Sequence, residues 1–366
     1  MTINVEHAIT NLSALLPIVA DRASATENRR CLSSELAAAL GEHGLFRMLV
    51  PRTLGGGELA PLDVLDVVET LAGQDGSVAW CVTVCATTGM LAAYLDETAA
   101  VEIFGARDAV VGGVAAPRGV GVAHDDDFAI SGRWSWASAS AVCTWLVGGF
   151  RVDGEGGAPR LALFPAAQVR LIDDWDPSGL RGTGSGSFEV ADVVVPGRRT
   201  CIISAKPRPG VAAVYAFPVA VMTALCIASV GCGLARAAFD EAGRILQTDD
   251  PMLATVTAAL ARQSAARAFL REQVAIAWDV AMAGASLSEA MVVQLRLSAV
   301  HAARTAAEQC RVIQDVAGGA GVPFSGAPAR RVRDAQTVTA HALVSRRLYP
   351  QLGGQLFTPT AASANG

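Results

Sequence analysis

The sequence predicts a mainly α-helical protein with an inserted β domain. It comprises an N-terminal helical domain over 1–108, a central β-sandwich or barrel over 109–207 and a C-terminal four-helix bundle over 208–366. Three observations predict this order. Helical apolar periodicity marks the first hundred residues, short β-rich pieces separated by turn residues follow, and long Ala-, Leu- and Arg-rich stretches fill the remainder. Strands and helices do not alternate, which excludes the Rossmann and barrel enzyme classes.

In the first part, Val64, Val67, Val68 and Leu71 fall at i, i+3, i+4 and i+7, one stripe of a helix. Pro61-Leu62-Asp63 starts that helix, and the Gly55-Gly56-Gly57 turn precedes it. The β pieces read VVGGVAA, FAISGRWSWAS, CTWLVGGFRV, LALFPA, VRLIDDW and SFEVADVVVP, punctuated by HDDD, DGEGG and DPSG. After Pro209, helices are expected at 213–246, 252–283, 287–316 and 329–348, joined by short connections as in an antiparallel bundle.

Composition narrows the function classes. Apolar types make up 52% of the chain and charged types 17%, against about 25% charged in typical soluble chains. Such a surface has little charge to cover it, so a homo-oligomer is expected. The 29 basic and 34 acidic residues leave a net charge of −5 with no basic run, which argues against nucleic acid or an anionic membrane as partner. Eight scattered cysteines without a CxxC pair, and only five histidines, predict no metal site. Glu6 and His7 precede any apolar stretch, which is unlike a signal peptide. A cytoplasmic protein with reduced thiols is expected. Residues 211–235 are uncharged and long enough to cross a bilayer, but Pro218, Gly231 and Gly233 interrupt them and no second span or basic flank is seen. They are predicted to form a buried core helix.

Three motifs bear on chemistry. Gly182-Thr183-Gly184-Ser185-Gly186 has the texture of a phosphate loop, but a β run follows it rather than a helix, so it reads as a turn joining two strands. In the segment Gly132 to Ser140, strict alternation would put Trp134, Trp136, Ser138 and Ser140 on one side of a strand. Those side chains could wall a planar heteroaromatic cofactor or simply pack a sandwich core. Near the end stand Asp315-Val316-Ala317-Gly318-Gly319-Ala320-Gly321 and Arg333-Asp334-Ala335, with His341 downstream. The glycines suit close helix packing or approach to a ligand phosphate. Cys81 and Cys85, at i and i+4, read as small core residues.

These pieces, in this order, with Gly44-Leu45-Phe46, Pro51 and Gly55-Gly56, the Ser178-to-Ser185 turn and the following Val193-Val194-Val195-Pro196, resemble the acyl-CoA dehydrogenase superfamily over nearly the whole chain. The resemblance implies a homotetramer holding flavin between the β domain and the bundle. It puts Trp136 against the isoalloxazine and the Ser138 hydroxyl at its N5. It puts Val114, Ala115 and Gly121 on a flavin-contacting turn, and Asp315, Gly318 and Gly319 on a stretch that receives the adenine half from a partner subunit. The family's Arg-x-x-Phe-Gly adenine motif is absent after Arg244.

Where the dehydrogenases carry Tyr-Glu-Gly, whose glutamate removes the thioester α-proton, this chain aligns His341-Ala342-Leu343, and residues 211–235 contain no acid. Carbon-acid deprotonation needs a positioned base. The departure resembles instead the two-component flavin-dependent monooxygenases of the superfamily, especially the bacterial indole and indole-acetate hydroxylases, with which it shares Asp75 to Cys81 and Ala86 to Gly89. What this implies is an oxygenase component using FADH2, with FMN the alternative, and O2, fed by diffusion from a separate NAD(P)H-dependent flavin reductase. A C4a-hydroperoxyflavin would hydroxylate an electron-rich aromatic, an indole, in natural-product biosynthesis with coupled cyclisation. Ser138 and His341 are the expected catalytic residues, and Trp80 and Thr88 the expected substrate contacts. Phenol-hydroxylating relatives carry a histidine near Thr88, which is lacking here. Ordinary acyl-CoA dehydrogenation, N-hydroxylation of an amine or amino sugar, and a flavin-free binding protein are the rival readings.

Overall fold

The computed structural model describes residues 5–247 and 249–357. Helices α1 (Val5–Arg29), α2 (Ser34–Glu42), α3 (Pro61–Gln74), α4 (Gly76–Thr88) and α5 (Glu97–Phe104) come first. Seven strands follow: β1 (Val111–His124), β2 (Asp127–Trp134), β3 (Trp145–Val152), β4 (Arg160–Pro165), β5 (Arg170–Ile172), β6 (Ser187–Pro196) and β7 (Thr200–Cys201). Then come α6 (Val219–Ile245), α7 (Leu253–Met282), α8 (Glu289–Ala317), α9 (Ala327–Ala340) and α10 (Tyr349–Phe357). Local chemistry sets several starts: Ser33, Asp96 and Ser288 cap α2, α5 and α8 by accepting backbone N–H groups of the first turn.

By internal contacts the chain divides into two compact units. One comprises Met1–Ala60, Ser77–Pro177 and Arg181–Val219; the other Pro61–Gly76, Ser178–Leu180 and Ala220–Gly366.

In the first unit the strands make one sheet in the order β5-β6-β2-β1-β3-β4-β7, antiparallel except for the parallel β1–β3 pair. Its core is aromatic. The fully buried Trp134 ring stacks on Phe188 at 4.8 Å, leans on Phe164 at 5.9 Å and donates its Nε1–H to the Gly149 carbonyl at 2.8 Å. Gly119, Gly132 and Gly148 form the slot for this indole. A Cβ on any of the three would come within 2.6–2.8 Å of the ring, so larger residues there are excluded. Residues 114–119 break the β1–β3 register and leave Ala115 to Arg118 exposed.

The second unit is helical. Val64, Val67, Val68 and Leu71 are buried along α3 as their spacing requires. On that helix the buried Glu69 carboxylate accepts the Arg267 Nε–H of α7, at 2.8 and 2.9 Å to its two oxygens. A Cβ on Gly233 of α6 would meet the Glu69 carbonyl at 2.2 Å, so α3 and α6 touch backbone to side chain-free backbone there. The excursion Ser178–Leu180 is clamped to α9: Arg333 Nε donates to the Ser178 carbonyl at 3.0 Å, and Asp334 accepts the Leu180 N–H at 2.6 Å. The Arg-Asp pair of the late motif is thus a loop anchor.

Four expectations need correction. The strand expected through Ser138 ends at Trp134, because Trp136 and Ala139 adopt left-handed backbone with φ of 70° and 59°. The two indoles therefore do not share a face: Trp134 is fully buried, whereas Trp136 is 73% exposed. The last bundle helix, expected to 348, stops at Ala340, where His341 turns out of the helix at ψ 136°. The helix expected from 213 begins at Val219, after Pro218. Finally, a second apolar span exists. Gly76–Ala93 joins Val219–Ile245 in having the length and hydropathy to cross a bilayer, but 89% and 83% of these windows are buried inside the protein.

Candidate active site

The first unit gathers a hydroxyl cluster around Ser138. Helix α4, GSVAWCVTVCATT, is apolar nearly all round and is buried accordingly. Its face at Ser77, Trp80 and Cys81 meets the turn after β5. Ser77 Oγ accepts the Gly182 N–H at 3.2 Å, and the Cys81 thiol donates to the Thr183 carbonyl at 3.6 Å. Between these contacts the Trp80 Nε1–H donates to Ser138 Oγ at 2.9 Å. Ser138 Oγ lies 2.7 Å from Ser185 Oγ, which lies 2.7 Å from Thr183 Oγ1. All four side chains are buried. The Gly-rich segment acts as the turn between β5 and β6 that was expected of it. Gly184, at φ 57°, bends the chain between the two hydroxyl residues, and Gly182 lies where a Cβ would strike the Thr26 methyl at 2.4 Å.

The segment after β2 supplies the rest. The N–H groups of Ala137 and Ala139 donate to the Gly186 and Thr183 carbonyls, so residues 135–139 follow the Gly-rich turn instead of the β ladder. This holds Trp136 outward at a positive φ that a bulky aromatic rarely adopts, a form of strain that collects at functional sites. The Ser138 carbonyl lies against Gly112 of β1, 3.4 Å from where a Cβ would stand. Two residues on, Val114 is half-buried and Ala115 is exposed on the irregular part of that strand.

Other predicted residues fall elsewhere. Gly121 is not on a turn: it lies inside β1, paired with Ile130, and a Cβ there would meet the Phe150 ring at 2.7 Å. Packing accounts for that glycine. Thr88 donates its hydroxyl to the Val84 carbonyl of its own helix at 2.7 Å. Trp80, expected to line a substrate chamber, is a buried hydrogen-bond donor to Ser138. In the second unit, Asp315, Gly318 and Gly319 are exposed at the end of α8, where Gly318 adopts φ 53°.

His341, also in the second unit, caps α9. Its Nδ1 accepts the Leu343 N–H at 3.3 Å, which assigns the proton of the neutral ring to Nε2. Burial pushes its pKa down to about 4. The ring is therefore a neutral donor at physiological pH. Burial likewise raises the Cys201, Cys226, Cys232 and Cys310 thiols, and a hydrogen bond with Cys143 together with burial raises that of Cys85, so all five stay protonated. No metal-binding cluster occurs among the described residues.

Known proteins match this architecture. The acyl-CoA dehydrogenase N-terminal and C-terminal domains match residues 15–103 and 225–346. An indole-3-acetate monooxygenase of Pseudomonas putida is 35% identical over 94% of this chain and 92% of its own length. The chain belongs to the acyl-CoA dehydrogenase family. Within that family it is a two-component flavin-dependent monooxygenase, the oxygenase component. The HsaA monooxygenase from M. tuberculosis superposes with a TM-score of 0.90 at 26% identity, covering 96% of this chain and 97% of that one. XiaF from Streptomyces sp., solved with FADH2 and glycerol, shares the acyl-CoA dehydrogenase fold, with a TM-score of 0.88 at 21% identity over 97% and 96% of the two chains.

The residues of the first unit fit the flavin of this branch. A serine hydroxyl has one proton and two lone pairs, and two of these three positions on Ser138 are taken by Trp80 and Ser185. Among the described residues no third partner claims the remaining position, which would suit a polar ring atom, and Trp136 presents an exposed indole two residues earlier. The alternation argument missed Thr183 and Ser185. Their signal was the placement of two hydroxyl residues at every second position of a glycine-rich turn.

Proposed function

We propose that this oxygenase component hydroxylates an indole, using reduced flavin that a separate NAD(P)H-dependent reductase supplies by diffusion. The observation that carries the indole is the 35% identity to an indole-3-acetate monooxygenase over 94% of the chain. Helix α4 supports it, since no histidine or carboxylate occurs from Gly76 to Thr88 to deprotonate a phenol. Bound reduced flavin supplies the electrons that activate O2.

This chain's residues do the rest. Trp136 packs its indole on the isoalloxazine, Ser138 holds the hydrogen at N5, and Val114 and Ala115 approach the ring by their backbone. His341 donates its Nε2–H to a reacting oxygen while remaining neutral, so it adds no stray proton. The apolar helices exclude water, which favours hydroxylation over peroxide release. Asp315, Gly318 and Gly319 are proposed to receive the adenine half of FAD in an oligomer. Thioester dehydrogenation lacks a base: no acid occurs at 341–343 or between Val219 and Ala235.

Anaerobic loading with FADH2 followed by an oxygen pulse with indole tests the reading. Oxidised indole, visible as indigo, is expected, with Ser138→Ala and His341→Ala diverting oxygen to hydrogen peroxide. Bleaching of bound oxidised FAD by a CoA thioester, or unchanged coupling in both variants, would overturn it.

A further inference from the structure

We infer that Trp80, Ser185 and Thr183 make Ser138 a reversible hydrogen-bond partner, able to accept from reduced flavin and donate to oxidised flavin with no movement of heavy atoms. The inference rests on the proposed placement of Ser138 at N5. It is carried by the hydrogen-bond count around that hydroxyl.

Trp80 has a donor and no acceptor, so its bond to Ser138 Oγ has one direction in every state. It occupies one Ser138 lone pair permanently. The bonds to Ser185 and onward to Thr183 are different in kind, because each joins two hydroxyls and either partner can donate. N5 of reduced flavin carries a hydrogen and donates; N5 of oxidised flavin is a lone pair and accepts.

With reduced flavin, Ser138 accepts from Trp80 and N5–H, and gives its own proton to Ser185, which donates to Thr183. With oxidised flavin the row reverses. Thr183 donates to Ser185, Ser185 to Ser138, and Ser138 to N5. In both cases the proton and both lone pairs of Ser138 are engaged, and only hydroxyl hydrogens rotate. A buried hydroxyl without Ser185 behind it would lack this symmetry. Accepting from N5–H would then leave its own proton unpaired, whereas donating to N5 would leave only an empty lone pair, a smaller loss. The network therefore removes a penalty that would otherwise fall on the reduced form, the form in which an oxygenase component must capture its cofactor. Trp80 is accordingly a positioning residue for the hydroxyl, a role different from that of a substrate contact.

The test is anaerobic titration of the full-length protein with oxidised and with reduced FAD, together with the midpoint potential of the bound flavin. Ser185→Ala is expected to weaken binding of reduced FAD about tenfold while leaving oxidised FAD within about twofold. A tenfold selective loss lowers the two-electron potential by about 30 mV. Trp80→Phe removes the fixed donor from both states, so both affinities fall together and the potential stays in place. Equal weakening of the two redox forms by Ser185→Ala, or none, overturns the relay. Ser138→Ala separates the two claims: if it alters neither affinity nor potential, the N5 placement itself fails. If it alters them while Ser185→Ala is not redox-selective, only the relay fails.

Discussion

His341 offers a quantitative prediction because a single cause, burial, moves its titration from an ordinary 6.5 to about 4. The unfolded chain binds a proton near 6.5, while the folded ring stays neutral until about 4, so between those values the unfolded state holds more protons. Stability must therefore rise with pH through this window and fall on acidification. Integrating the linkage gives a loss, relative to pH 8, of about 2 kcal/mol at pH 5 and about 3 kcal/mol at pH 4, as upper values for one group. Carboxylates titrate in the same range, so the comparison must be with His341→Gln, which keeps a side-chain amide near Leu343 and removes the titration. Urea unfolding at pH 8, 6, 5 and 4.5 measures both proteins. The wild type is expected to lose about 2 kcal/mol more than the variant between pH 8 and pH 5. Parallel curves would refute the half-buried neutral ring, and with it the assignment of His341 as a donor that holds its proton on Nε2 throughout the working range.

Three further outcomes follow from packing and charge. Gly119→Ala forces a methyl to within 2.6 Å of the Trp134 ring and should cost about 2 kcal/mol of unfolding free energy, read by thermal or urea denaturation. Glu69→Ala leaves Arg267 and Arg236 without the carboxylate they share. It should cost about 2 kcal/mol because Arg267 remains partly in solvent, and Glu69→Ala combined with Arg267→Met should cost less than the sum of the single changes in a double-mutant cycle. Trp136→Gly relieves the left-handed strain at φ 70° and should leave stability unchanged or raised by about 1 kcal/mol. Flavin affinity, measured by fluorescence titration, should fall at least about tenfold, since stacking on the isoalloxazine is lost.

Much of the fold was legible because its signals are local and repeated. The α3 stripe needs only the 3.6-residue period, and the change from helix to strand after Phe104 follows from β-branched runs between turn residues. The sequence failed where one residue takes an uncommon backbone state without a glycine to announce it. Trp136 and Ala139 at positive φ end a strand whose alternation, on paper, continues to Ser140. His341 ends α9 with no glycine or proline beside it, so the pattern from Arg330 onward reads as continuing helix.

The candidate site was half legible for a related reason. Ser138 could be singled out by family resemblance, but its partners come from two other, separate stretches of chain. Trp80 lies 58 positions before Ser138 and Ser185 lies 47 after, and no periodicity links such distances. Taken singly, Trp80 reads as a core aromatic and Gly182 to Gly186 as a turn, and both readings hold in the folded protein. Their proposed role arises only when the turn, shaped by Gly184 at positive φ, and the α4 face meet at one hydroxyl. A fold used elsewhere for removing a carbon-bound proton thus needs no new carboxylate here. Three hydroxyls and an indole N–H, each able to bond without titrating near neutral pH, suit a site in which a stray proton would release peroxide. On the proposed placement of the flavin, the distinction between the two chemistries lies in the kind of polar group buried at this site more than in the scaffold that buries it.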